Sequence, residues 1–221
     1  MENLIQSLRD RDLLQDVGLI NAIRNTDIRS FIAPELRDSS YVSFINDRPA
    51  LAINIPGVQR TISAPHMVCM MLEQMIPSSN EKFLILGSKF GYFATLIFKI
   101  NNTVQVTVLE ANPVIYSMTK QNLTDIHLHQ QILVIKKNPL EGNNTHGPFH
   151  KILITGAIEE VPEHLFAQLA DGGKLMAPVG FPTQDLILYS KSDEFIEEMN
   201  LCQVVFSPLE TIITSETSTA S

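Results

Sequence analysis

The hydrophobic pattern is sharpest between Lys82 and Ile100, KFLILGSKFGYFATLIFKI. Phe83 to Leu86 form an unbroken apolar run between Lys82 and Gly87, which predicts a strand buried on both faces. From Tyr92 onward, Phe93, Leu96, Ile97 and Ile100 recur at helical spacing, so a helix follows. Gly87 and Gly91 bracket the loop between them. A strand, a glycine loop and a helix place backbone N–H groups at the carboxyl end of a strand, where open α/β sheets bind small ligands. Only two of the three glycines of a dinucleotide fingerprint are present, so an ordinary strand-to-helix turn fits the same residues.

Upstream, Leu4, Ile5 and Leu8 and then Ile20, Ile23 and Ile28 give short helical stripes. Pro34, Asp38, Ser39 and Ser40 mark a loop, and Asn46-Asp47-Arg48-Pro49 a turn. Leu51, Ile53 and Ile55 alternate as a short extended segment that ends at Pro56-Gly57. Ser63 reads as an N-cap, with Pro65 in the first turn of a helix carrying Met67, Met70, Met71 and Met75 as adaptable core. Downstream the rhythm is strand and helix by turns. Strands are predicted at Val104–Leu109, Ile132–Ile135, Lys151–Thr155, Leu175–Pro178, Leu186–Tyr189 and Cys202–Phe206. Helices are predicted at Val114–Leu123 and at His164–Ala170, the latter stopped by Asp171-Gly172-Gly173. With the central strand this makes seven. The fold class is α/β, a doubly wound, mainly parallel seven-stranded sheet with an N-terminal helical extension.

Composition narrows the function. A chain of 221 residues buries one good core. Its net charge of −8, without any Lys/Arg run, argues against a nucleic-acid partner, because phosphate binding needs a concentrated basic face. No apolar run approaches the roughly 18 residues of a membrane span, and MENLIQSLRDRDLL lacks the apolar core of a secretion signal. Cys69 and Cys202 lie in apolar segments and read as buried, reduced thiols, which suits a cytoplasmic setting. His127, His129, His146 and His150 have no Cys or carboxylate at ligand spacing, so no metal is expected. No Gly-x-Ser-x-Gly elbow supports a serine hydrolase.

Glu110 ends the strand that follows the glycine loop, about twenty residues on, where an acid can accept hydrogen bonds from both ribose hydroxyls of a nucleoside cofactor. A solvated strand-end acid is the alternative.

Gln59 and the run Thr61-Ile62-Ser63-Ala64-Pro65-His66-Met67 then make the combination specific. Together with Tyr41, Asn46-Asp47-Arg48-Pro49, Phe83 to Tyr92, Glu110-Ala111-Asn112, Gln168-Leu169, Gly172-Gly173-Lys174-Leu175, Pro178-Val179-Gly180 and Phe206-Ser207-Pro208-Leu209, they make the chain resemble the protein-L-isoaspartate O-methyltransferases. These are Rossmann-like class I S-adenosylmethionine-dependent methyltransferases. The resemblance runs from about Gly18 to Leu209. It implies methyl transfer from S-adenosylmethionine to the α-carboxylate of isoaspartyl residues in damaged peptides and proteins. It assigns the catalytic hydroxyl to Ser63, and cofactor contacts to Thr61, Ile62, Gly87, Ser88, Gly91, Glu110, Ala111 and Asn138. Substrate contacts fall to Gln59, Arg60 and His66. Residues 1–60 become a substrate-side extension, 61–213 the methyltransferase-like domain, and 214–221, small and polar, a disordered tail.

The departures from the family pattern cluster on the cofactor side. Ile85 stands where an acid is expected, Lys89 where a glycine is, and Asn138-Pro139 where Asp-Gly is. They leave open a second reading, a non-catalytic homologue that binds a peptide or partner, and a third, a methyltransferase for another carboxylate or small molecule.

Overall fold

The computed structural model describes residues 1–193 and 195–212. They separate into two units. The first comprises Met1–Asn80, Lys89–Gln105 and Thr119–Ile132; the second comprises Glu81–Ser88, Val106–Met118 and the chain from Leu133 onward. The tail expected at 214–221 lies outside the described residues.

In the first unit the helical stripes become α1 (Glu2–Asp10) and α2 (Val17–Arg24). α1 buries Leu4, Ile5 and Leu8, and α2 buries Leu19, Ile20, Ala22 and Ile23. Asp16 caps α2 by accepting from the Leu19 N–H at 2.7 Å. The loop expected around Asp38–Ser40 is helix instead. Pro34 opens a 3-10 turn, and α3 (Arg37–Ile45) follows at once. Its serines do not break it, because Ser43 Oγ donates to the Ser39 carbonyl and Ser40 Oγ donates outward to Leu51 O. β1 (Ala50–Ile55) and β2 (Val58–Ile62) then form an antiparallel hairpin through Pro56-Gly57, of which sequence reading had found only the first arm. α4 (Pro65–Glu73) buries Val68, Cys69, Met71 and Leu72; of the methionines, Met71 and Met75 are fully buried and Met67 and Met70 half-buried. α5 (Tyr92–Ile100) packs against α2. Phe31 and Phe44 meet Tyr92 edge-on, at centroid distances of 5.3 and 5.8 Å.

The second unit holds the sheet. In chain order its strands are β3 (Lys82–Leu86), β4 (Gln105–Glu110), β5 (Ile132–Lys136), β6 (Phe149–Ile154), β7 (Leu169–Val179), β8 (Gln184–Ser192) and β9 (Phe195–Val204). In space they run β5-β4-β3-β6-β7-β8-β9. β3, β6 and β7 are parallel, whereas β8 and β9 join as antiparallel hairpins. Connections from β3 therefore run outward on one side and from β6 on the other. The carboxyl ends of β3 and its neighbours are the topological switch point of the sheet. α6 (Pro113–Asp125) follows β4, and its residues divide between the two units. Leu84, Leu86, Leu109, Ile152, Ile154 and Leu175 belong to one buried cluster.

Two boundaries differ from the sequence expectation. α7 is only Glu163–Ala167, and Asp171-Gly172-Gly173 lies inside β7 rather than between a helix and a strand. The pairing with β6 jumps there, from Phe149↔Leu169 to Lys151↔Lys174. Gly172, at φ +70°, turns the extra residues out as a bulge. β9 starts at Phe195, well before Cys202; its first six residues are exposed, so no one-sided apolar pattern marks them in the sequence.

Candidate functional site

The glycine loop begins in the second unit. Gly87 has φ +90°, and its N–H donates to Leu109 O at 2.9 Å. A Cβ there would stand 2.6 Å from Thr155 Oγ1 and 2.9 Å from Leu209 Cδ1, so only glycine fits. The Thr155 hydroxyl donates to Gly87 O at 2.8 Å and ties β6 to the loop.

Glu110 is not a solvated strand-end acid. It is 4% exposed. Its Oε2 accepts from both the Ser88 N–H and the Ser88 Oγ–H, each at 2.9 Å, and its Oε1 accepts from the Asn112 N–H at 3.0 Å. A carboxylate offers about four lone-pair directions, and three are occupied within the fold. Ala111 beside it is fully buried. Asn112 caps α6, its Oδ1 accepting from the N–H groups of Val114 and Ile115, while its Nδ2 donates to Glu210 Oε2 at 2.7 Å. Asn138, after β5, spends its Oδ1 on the Leu140 N–H at 3.1 Å and so caps the short turn Pro139–Glu141.

The chain from Ser207 to Leu209 crosses this end of the sheet. The Ala157 N–H donates to Ser207 O and the Leu209 N–H to Ala157 O, both at 2.9 Å. Sequence reading missed Thr155 and Glu210. Glu210 follows directly on the Phe206–Leu209 stretch, and that adjacency was the available signal.

The first unit holds the remaining candidates. Gln59 to Ile62 lie on β2, opposite Asn54, Ile53, Leu51 and Ala50 respectively. Gln59 is exposed, Arg60 and Thr61 are half-buried, and Ile62 is buried. Arg60 Nη1 donates to Gln59 O at 2.8 Å. β2 runs beside the Lys89–Gly91 turn. Lys89, Phe90 and Gly91 are all left-handed, with φ of +43°, +61° and +93°. A glycine would suit position 89 for that reason, and Lys89 occupies it at a backbone cost of about 1–2 kcal/mol. Asn122 Nδ2 donates to Phe90 O at 3.0 Å and helps hold the turn. Ile85, where an acid was expected, is fully buried on β3.

Ser63 does not cap α4. The cap position is Ala64, which has no side chain to offer. Ser63 is 9% exposed, and among the described residues its hydroxyl has no hydrogen-bond partner. The N–H of His66 instead donates to Asp47 Oδ1 at 2.8 Å, and His66 Nδ1 lies 3.0 Å from the same oxygen. Arg11 Nη2 donates to Asp47 Oδ2 at 2.6 Å. Burial alone would raise the Asp47 carboxyl, but the hydrogen bonds from Arg11 and His66 outweigh it and hold the group below the usual carboxylate range. The Cys69 thiol is pushed up to about 12 by burial, which makes it an inert core group.

Among the described residues no three His, Cys, Asp or Glu side chains gather as a metal site, and no helix is long and apolar enough to cross a membrane.

Residues 1–213 match the family model described as Protein-L-isoaspartate(D-aspartate) O-methyltransferase. A protein-L-isoaspartate O-methyltransferase of Methanococcus maripaludis is 32% identical over 207 residues, which cover 93% of each chain. A solved structure named protein-L-isoaspartate O-methyltransferase shares the fold at a TM-score of 0.84 and 20% identity, covering 94% of this chain and 65% of that one. A Plasmodium falciparum chain described as a protein-L-isoaspartate O-methyltransferase, crystallised with S-adenosyl-L-homocysteine, is 26% identical at a TM-score of 0.78, covering 95% and 97%. The loop after β3, the acid ending β4 and the run from Thr61 to Met67 thus fall within a match over nearly the whole length, and the chain belongs to the protein-L-isoaspartate(D-aspartate) O-methyltransferase family.

Proposed function

We propose that this chain methylates the α-carboxylate of isoaspartyl residues in damaged peptides and proteins, with S-adenosylmethionine as donor. The observation that carries the reading is Glu110, buried and braced by Ser88 and Asn112 at the end of β4, the place from which an acid accepts from a ribose hydroxyl. Family membership supports the same chemistry. When bound, S-adenosylmethionine supplies an electrophilic methyl group. Gly87, whose missing side chain makes room for Thr155 and Leu209, sets the turn that opens the loop, and Ser88 keeps the Glu110 carboxylate aimed. The family resemblance assigns further cofactor contacts to Thr61, Ile62, Gly91, Ala111 and Asn138. A substrate carboxylate, with a pKa of about 4, is already ionised at neutral pH and needs no general base. Catalysis is then a matter of alignment, and the unengaged Ser63 hydroxyl orients that carboxylate by donating to it. Gln59, Arg60 and His66 take the substrate side, where Arg60 offers positive charge to an anionic peptide. The product ester closes to a succinimide, expelling methanol, and so allows repair. Two thiols in an acidic chain fit a reducing, cytoplasmic compartment.

A second reading, a homologue that binds peptides without methylating them, draws on Ile85 and Lys89. Calorimetric titration with S-adenosyl-L-homocysteine separates the two: no heat and no thermal shift at millimolar ligand would rule out the enzyme. Where binding is seen, methyl transfer to an isoaspartyl peptide but not to its aspartyl twin is the expected result. Transfer to neither would leave the second reading standing.

A further inference from the structure

We infer that Asp47 is a positioning residue for the reaction: it caps α4 from the preceding turn and so leaves the Ser63 hydroxyl available to substrate. The inference rests on the functional reading above. A helix leaves its first N–H groups without intrahelical partners, and the residue just before it normally supplies an acceptor from its own side chain. Here that residue is Ala64, which has none. Ser63, one residue earlier, carries a hydroxyl and is the nearest side chain able to take over, yet it does not. The acceptor comes from 17 to 19 residues upstream. Asp47 Oδ1 stands 2.8 Å from the His66 N–H, the second helical position, and His66 Nδ1 adds a hold on the same oxygen at 3.0 Å.

Asp47 is itself fixed. It sits at φ +57°, its own N–H donates to Phe44 O at 3.0 Å, and Arg11 grips its other oxygen at 2.6 Å. A carboxylate also suits a helix N-terminus electrostatically. From His66 the restraint reaches Ser63 through Ala64-Pro65. Proline fixes its own φ and restricts the residue before it, so little slack intervenes. Two stretches read separately in the sequence, Asn46–Pro49 and Thr61–Met67, are thereby one device: the first carries the cap, the second the hydroxyl that capping would otherwise occupy.

The test compares Asp47→Ala, Asp47→Asn and Arg11→Ala in steady-state methylation of an isoaspartyl peptide, with far-UV circular dichroism checking that each is folded. Asp47→Ala is expected to lower kcat at least tenfold at saturating donor and peptide. Asp47→Asn keeps an acceptor and is expected to stay within threefold of the parent. Arg11→Ala loosens Asp47 without touching His66 and is expected to stay within twofold. A folded Asp47→Ala within twofold of the parent, or Arg11→Ala falling as far as Asp47→Ala, overturns the inference. Hydrogen exchange on the unsubstituted chain gives a readout independent of turnover and of any variant's folding. The His66 amide is expected to exchange at least a hundredfold more slowly than an uncapped first-turn amide, and exchange at the unprotected rate also overturns the inference. Absence of turnover in the unsubstituted chain would instead sink the functional reading and leave the cap to be judged by exchange at His66.

Discussion

Replacing Glu110 by glutamine changes one atom and no volume, yet it should be among the more damaging single changes in the second unit. Three donors converge on the carboxylate: two from Ser88 on Oε2 and one from Asn112 on Oε1. Glutamine has one carbonyl oxygen, so at best it keeps both Ser88 bonds and turns its NH2 toward the Asn112 N–H. That forfeits a charge-assisted bond and opposes two donors at a site 4% exposed, a loss of about 1.5–3 kcal/mol. The two surviving bonds lose their ionic partner and fall to roughly half their strength. Against this, a neutral amide is easier to bury than a carboxylate. The net expectation is a destabilisation of about 2 kcal/mol, which for a chain of 221 residues is about 4–8 °C in Tm. Scanning calorimetry and urea unfolding of parent and variant measure it. A midpoint within about 1 °C of the parent would refute the brace, and with it the idea that Glu110 is held ready rather than resting in solvent.

Three further outcomes are expected. Tyr92→Phe should stabilise the chain by about 1 kcal/mol, because the buried Tyr92 hydroxyl has no partner among the described residues; a lower urea midpoint would mean that a bound water or another group satisfies it. Lys89→Gly should stabilise the chain by about 1 kcal/mol, because glycine adopts φ +43° without the side-chain clash; an unchanged or lower urea midpoint would show that contacts of the lysine side chain outweigh the strain. Asp47 has a folded-state pKa below its unfolded value of about 3.9, so its contribution is fully present above that pH and is lost as pH falls through the lowered value. Asp47→Asn should flatten the acid limb of a Tm-versus-pH curve below about pH 4, and an unchanged limb would contradict the Arg11 and His66 bonds.

Much of the sheet was legible because its strands are short apolar runs bounded by glycine or polar residues: β3, β4, β5 and β6 all show this. What escaped depends on partners distant in sequence. β2, Val58–Ile62, reads as polar because a hairpin arm needs only one buried face. α3 was masked by serines whose hydroxyls find carbonyl partners only in the folded chain. Asp171-Gly172-Gly173 signals a break equally well whether it ends a helix or bulges a strand. In the site, Gly87 and Glu110 could be picked from spacing alone. The cap of α4 could not. A serine two residues before Pro65 looks like a cap, and only the position of Asp47 shows that the cap lies elsewhere.

Leu209 has implications for how such a chain tolerates change. Its side chain abuts Gly87, and its backbone would lie 2.7 Å from any Cβ added at Gly156. Three positions far apart in sequence therefore share one small volume, and enlarging either glycine would prise the closing segment off the sheet. Engineers seeking variants should vary 87, 156 and 209 together or leave them alone, and among natural relatives the same three sites should drift as a set.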